Sequence, residues 1–145
     1  MRRLFFMRKI FLSIASLAAF VFLGLSSRTP IFYDAKGNVT YYCNKKSSNC
    51  SMVTVCADYE STFRSLRNVK GECAEEVDKE YVDKIISRLK AKKQFSEVVD
   101  GITCDYYYTS AIKDYVVIGG KRVNLHSARR GDVYSIATPM IFGSY

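Results

Sequence analysis

Tryptophan is absent from this chain of 145 residues, histidine occurs once, at His126, and proline only twice. These scarcities remove whole classes of function. A single histidine is too few for a histidine-based metal site. The five cysteines, Cys43, Cys50, Cys56, Cys73 and Cys104, are separated by 7, 6, 17 and 31 positions, which matches no metal-ligand spacing. No C-x-x-C pair is present for redox work. No serine stands in a nucleophile elbow, and the Gly119-Gly120 pair does not sit in a phosphate-binding loop. Internal repeats and low-complexity tracts are absent too. The expectation is therefore no metal, no cofactor and no catalytic set.

What the chain does have is concentrated at its start. Arg2, Arg3, Arg8 and Lys9 precede Ile10–Leu25, a run of 16 residues without one charge. A positive segment followed by an apolar one is the pattern of an export signal. Signal h-regions hold about 7–15 apolar residues and spanning helices about 20, so the run stands between the two. Gly24 and Ser26 are spaced like the positions read by a signal peptidase, which suits cleavage after Ser26 or Ser27. An uncleaved membrane anchor is the alternative. No cysteine follows the run closely, which excludes a lipoprotein. Only Arg28 follows on the far side, so the N-terminus is expected inside. Residues 1–27 are thus a signal peptide or anchor, and 28–145 a single extracytoplasmic domain, large enough for one core.

The leader changes the meaning of the charge. The whole chain has 22 Lys and Arg against 14 Asp and Glu, a net of +8, but four cations lie in the leader and every acid follows it. The exported part is left with +4. A modest positive charge suits proximity to an anionic membrane or wall, and it is too small to argue for nucleic acid. Export also makes disulfides admissible. The odd count and the β-branched and aromatic surroundings of Cys43, Cys56 and Cys104 favour free or partly paired core thiols, with a bridge among Cys43, Cys50 and Cys56 as the rival. Asn38-Val-Thr40 and Asn49-Cys-Ser51 match glycosylation acceptors, which mean nothing in a bacterium.

Ile31–Tyr33 and Asn38–Cys43 read as short strands joined through the turn Asp34–Gly37, and Met52–Ala57 as another. Asn44–Ser51 is a polar loop, and Asp58–Gly71 fits helix and strand equally poorly. Ala74–Lys93 is the clearest helix. Val77, Tyr81, Ile85 and Leu89 recur every four residues, with acids in the first turns and lysines in the last. Glu75–Lys79 and Glu80–Lys84 are spaced as i,i+4 pairs. The period then falls to two over Ile102–Thr109. Tyr115–Ile118 and Lys121–Leu125 flank Gly119-Gly120 as a tight hairpin, with Ile118 opposite Lys121 and Val116 opposite Val123. Arg129–Asp132 is a turn, and Val133–Phe142 the last strand, with Pro139 at an edge or bulge. The fold class is α+β: an antiparallel β-meander of about four strands (101–142) packed against one amphipathic helix (74–93), with extra N-terminal strands.

Gly120–Ala128, read G-K-R-V-N-L-H-S-A, and Ala137–Tyr145, read A-T-P-M-I-F-G-S-Y, together resemble the closing segments of the YwmB-like exported proteins of Firmicutes. Those pair a G-k-x-V/I-N-l-x-x-A stretch with a terminal G-T/S-P-I-I-x-x-Y stretch. Asp100–Tyr108 fits the strand before them. The resemblance covers Glu97–Tyr145 and, weakly, Ala74–Gln94. Ala137 stands where the family usually has glycine, and the N-terminal half is shorter. The resemblance implies a fold like one lobe of the TATA-binding protein and an exported bacterial protein. It implies no activity, and the fold name carries no inference of DNA binding.

Two functional readings follow. The first is a non-enzymatic cell-envelope binding domain whose partner is an envelope protein or a wall or membrane-surface component, not nucleic acid. Its candidate surface is the sheet face bearing Tyr107, Tyr115, Arg122 and Asn124, flanked by Lys113 and Arg129, because aromatic and basic groups together bind glycans, acidic peptides and proteins. Cover by the N-terminal segment is the competing reading of that face. The alternative function is a small extracytoplasmic hydrolase with an acid nucleophile, or with Cys104 activated by His126, which requires those two side chains to meet. Asp100, Asp105 and Asp114 read as scattered solubility and turn residues.

Overall fold

A computed structural model describes residues 29–43, 51–56 and 58–139, so residues 1–28, which include the leader, 44–50, which include Cys50 and most of the segment read as a polar loop, 57 and 140–145 lie outside the described part. Within it are nine strands and two helices: β1 Asn38–Cys43, β2 Ser51–Val55, α1 Tyr59–Ser65, β3 Val69–Val77, α2 Lys79–Arg88, β4 Lys92–Val99, β5 Ile102–Tyr108, β6 Val116–Ile118, β7 Lys121–Val123, β8 Leu125–Arg130 and β9 Val133–Thr138. The fold is α+β. Seven strands form one antiparallel sheet in the order β2-β1-β3-β9-β8-β5-β4, so the sheet is wider than the four-stranded meander expected. Of the strands read over 101–142, β5 and β9 lie in this sheet with β8 between them, β6 and β7 form a two-stranded sheet of their own, and β4, which precedes that range, takes the edge beside β5; β3 joins β9 to the N-terminal pair.

Residues of even and odd register separate the two faces of the sheet. One face carries Val39, Tyr41, Ala74, Ile136 and Leu125, packed with Phe63 of α1, with Tyr81, Val82 and Ile85 of α2, and with Phe32 of the N-terminal turn. Each fully buried side chain of this size contributes about 1.5–3 kcal/mol. On the other face, Ile102, Cys104, Tyr106 and Ala128 pack with Val123, and Val116 and Ile118 lie against them. The β6–β7 hairpin has the expected register, Ile118 with Lys121 and Val116 with Val123. It leaves the sheet, however, and stands on that second face as a separate ribbon.

The helix read at 74–93 is shorter. Asp78 caps it, its side chain accepting from Tyr81 N at 2.7 Å, and the residues before it belong to β3. Gly71, Glu72, Cys73 and Ala74 are all buried, because β3 is an inner strand covered on both faces. A strand buried on both sides loses its period of two, and Val77 then fell into helical phase with Tyr81 by coincidence. Lys90 takes a left-handed φ of 50°, while Ala91 N bonds Ile86 O and Lys90 N bonds Ser87 O, the Schellman ending that glycine usually supplies. Lys92–Val99 is an edge strand whose lysines protect its open side. Asp58–Gly71 resolves into α1, a loop and the start of β3.

Two further expectations change. Ile31–Tyr33 is part of a turn, not a strand, and Phe32 is 0% exposed. β9 ends at Thr138 before a cis Thr138–Pro139 peptide, so Pro139 follows the strand and removes no ladder bond. Gly37 is fixed by crowding, since a Cβ there would lie 2.1 Å from the Glu75 carbonyl oxygen.

Candidate functional site

The four residues read as one face do not share one. Tyr107 points to the helix-covered side, is 7% exposed, and sends its hydroxyl toward Asp105 at 3.4 Å; burial raises its pKa to about 12. Asn124 is 0% exposed and serves the backbone. Its Oδ1 accepts from Thr109 N at 2.8 Å, and its Nδ2 donates to Thr109 O and Ile112 O at 2.7 and 3.0 Å. It pins the loop that carries the chain from β5 to the hairpin. Tyr115 and Arg122 do come together, on the outer side of the hairpin. Tyr115 is 45% exposed, the Arg122 guanidinium lies 4.9 Å over its ring, and Tyr108 meets the same ring edge-on at 6.4 Å. Val117, 63% exposed, extends the outer side. Of the flanking cations, Lys113 lies in the loop before Tyr115, whereas Arg129 packs on Tyr134 at the far end of β8.

Beneath the hairpin runs a ladder of rings across three strands. Phe95 of β4 stacks on Tyr106 of β5 at 4.3 Å, and Tyr106 stacks on His126 of β8 at 4.4 Å with the planes 6° apart. Lys121 of the hairpin bonds the Gln94 carbonyl and lies 5.8 Å from the Phe95 ring. The Tyr106 hydroxyl donates to Glu97. His126 is 0% exposed, and burial lowers its pKa to about 4, so the imidazole is neutral at pH 7. Cys104 pairs in register with Ala128, and His126 with Tyr106, so thiol and imidazole are diagonal neighbours on one face. Cys73 carries a buried thiol whose pKa burial pushes up to about 12, and the exposed Cys56 thiol donates to Asn38 at 3.0 Å.

A third constellation was not visible in the sequence. Glu72 of β3 is 6% exposed, and its Oε2 accepts from Ile31 N at 2.8 Å and Phe32 N at 3.4 Å. Burial raises its pKa to about 7, against the pull of those two amides and of Arg88. Arg88 donates to the Ile31 carbonyl and to Asp34, and Lys84 reaches Asp34 at 2.5 Å. Burial opposes it, but bonds from Lys84 and Arg88 hold the Asp34 carboxyl below its ordinary value. Together these groups clamp the N-terminal turn onto β3 and α2. Nothing local marks Glu72 in the sequence, since Val69–Val77 also carries Lys70, Glu75 and Glu76.

Two open clefts accompany these clusters. One, of about 240 Å³, is lined by Asp34, Lys36, Glu76, Asp78 and Tyr81. The other, of about 400 Å³, has Ile102, Ala128 and Val133 in its lining with Glu75 and Arg130. Among the described residues no cluster of three His, Cys, Asp or Glu side chains could hold a metal ion, and no helix is long and apolar enough to cross a membrane. Comparison with family models, curated proteins and solved structures returns no match to this chain.

Proposed function

We propose that this is a YwmB-like exported bacterial protein, secreted or held at the membrane by residues 1–27, that binds another component of the cell envelope without catalysis. The observation that carries the binding reading is the two-sided β6–β7 hairpin. Val116, Ile118 and Val123 fix it to the sheet, while Tyr115, Val117 and Arg122 face outward. An exposed hydrophobe beside an arginine already stacked on a tyrosine is preorganised: little side-chain entropy remains to be lost when a partner docks. The leader pattern supports export, and the two closing segments support the family reading. Gly120–Ala128 runs from the hairpin turn through β7 into β8, where the chain passes from the ribbon back to the main sheet.

A photoreactive residue at Val117 of the full chain, expressed in its own cells, tests the proposal. One discrete adduct should form, and Tyr115→Ala with Arg122→Ala should abolish it while stability changes by less than about 1 kcal/mol. The same adducts from the exposed edge position Val98 would show non-specific contact and defeat the reading.

A further inference from the structure

Strand directions divide the charge of the molecule between its two ends. β1, β5, β9 and α2 finish at one end, and β3, β4 and β8 begin there. At that end lie Arg67, Lys70, Arg88, Lys90, Lys92 and Lys113. Among the described residues the acids at or beside that end are Asp114, the buried Glu72 and Asp34, which pairs with Arg88 at 3.2 Å. The opposite end holds Glu75, Glu76, Asp78, Glu80, Asp100 and Asp132, with fewer cations between them. The net charge of the domain is modest, but it is strongly polarised.

The N-terminal turn is clamped at the basic end. Ile31 is held by Glu72 and by Arg88, the last residue of α2. Five residues separate it from Leu25, where the apolar run stops, so the six residue-to-residue steps span at most about 21 Å. If that run sits in a bilayer, the end of the domain nearest the membrane is the end with unbalanced positive charge. Each lysine or arginine near an anionic leaflet is worth about 1 kcal/mol, and the attraction falls off within a Debye length of about 8 Å.

We propose that this basic end is a docking surface for anionic phospholipid headgroups, on which the domain stands beside its own anchor. The proposal deepens the envelope reading and rests on its export leader. It leaves the Tyr115–Arg122 side of the hairpin available for a partner.

The test uses the full chain mixed with vesicles of phosphatidylcholine alone or with one part in four phosphatidylglycerol. A water-soluble acylating reagent is applied and lysine modification is read by mass spectrometry. Lys70, Lys90, Lys92 and Lys113 should react at least about fivefold more slowly on the anionic vesicles, and high salt should restore their reactivity. Lys36 and Lys79, at the acidic end, serve as internal controls and should not change. A Lys70→Glu, Lys92→Glu, Lys113→Glu variant should lose the protection at Lys90. Equal reactivity on both vesicles overturns the proposal. Protection by a soluble glycerol-phosphate polymer, without protection by the anionic vesicles, overturns lipid as the occupant. A carbonate wash of the same vesicles reads the anchor separately: a chain washed off yet protected only on anionic lipid loses its anchor and keeps its basic docking end.

Discussion

Glu72 and His126 are buried titratable groups whose pH dependences oppose each other. Glu72 has its pKa raised to about 7 in the folded protein. The folded state then binds the proton more tightly than the unfolded chain, so the contribution is complete below about 4.5 and is lost as pH rises through 7. His126 is lowered from 6.5 to about 4, so the unfolded chain holds its proton more tightly, and stability falls as pH drops through that window. The two slopes offset each other between about pH 4.5 and 6.5. Glu72→Gln keeps an acceptor for Ile31 N and removes one slope. Denaturant titrations across that range should show the variant gaining stability with pH, while the parent stays nearly flat. Asn124→Ala leaves two backbone carbonyls and one amide of the 109–112 loop without their side-chain partner, at about 1–3 kcal/mol for each buried group stranded. A fall in the unfolding midpoint of that size is expected, far beyond the effect of Arg122→Ala on the exposed side of the hairpin. From the sequence, Tyr107 and Asn124 looked like binding residues, because an aromatic and an amide on short strands read the same whether they face water or backbone. Only register and burial separate them.

At the level of elements, local chemistry was legible wherever the chain faces solvent on one side. The Gly119-Gly120 hairpin was readable to its register, and β5 to its alternation. Elements that break this condition were misread: β3 is covered on both faces, and β4 is an edge whose charges look like the end of a helix. The proposed pairs Glu75–Lys79 and Glu80–Lys84 did not form. With Glu75 in β3, Lys79 pairs instead with Asp83 at 2.6 Å, and Lys84 with Asp34. The start of α2 rests on Asp78, whose carboxylate meets an amide that the helix itself cannot satisfy. Asp78→Ala should destabilise the domain by about 1 kcal/mol, and Asp78→Asn or Asp78→Ser should recover most of it, read by thermal unfolding. No recovery would mean that the helix start is set by packing of Tyr81 and Val82 alone.

For the whole molecule, the α+β class was legible and the width of the sheet was not. The N-terminal strands pair with β3, which the helical reading had consumed, so the link between the two halves was hidden in the residues read worst. The clamp of Glu72, Arg88 and Asp34 on the N-terminal turn joins residues 40 to 57 positions apart in the chain, a distance no local pattern spans. Charge polarity was invisible for the same reason, since basic and acidic segments sort to opposite ends only once strand directions are known. All of the functional account assumes that the domain works outside the cytoplasm. The most direct check is to fuse an export-dependent phosphatase, and in parallel a reporter active only in the cytoplasm, after Tyr145 of the full chain. Phosphatase activity with a silent cytoplasmic reporter is the result expected. A bright cytoplasmic reporter on a soluble chain that keeps residues 1–27 would contradict the envelope role, and the membrane-facing pole with it.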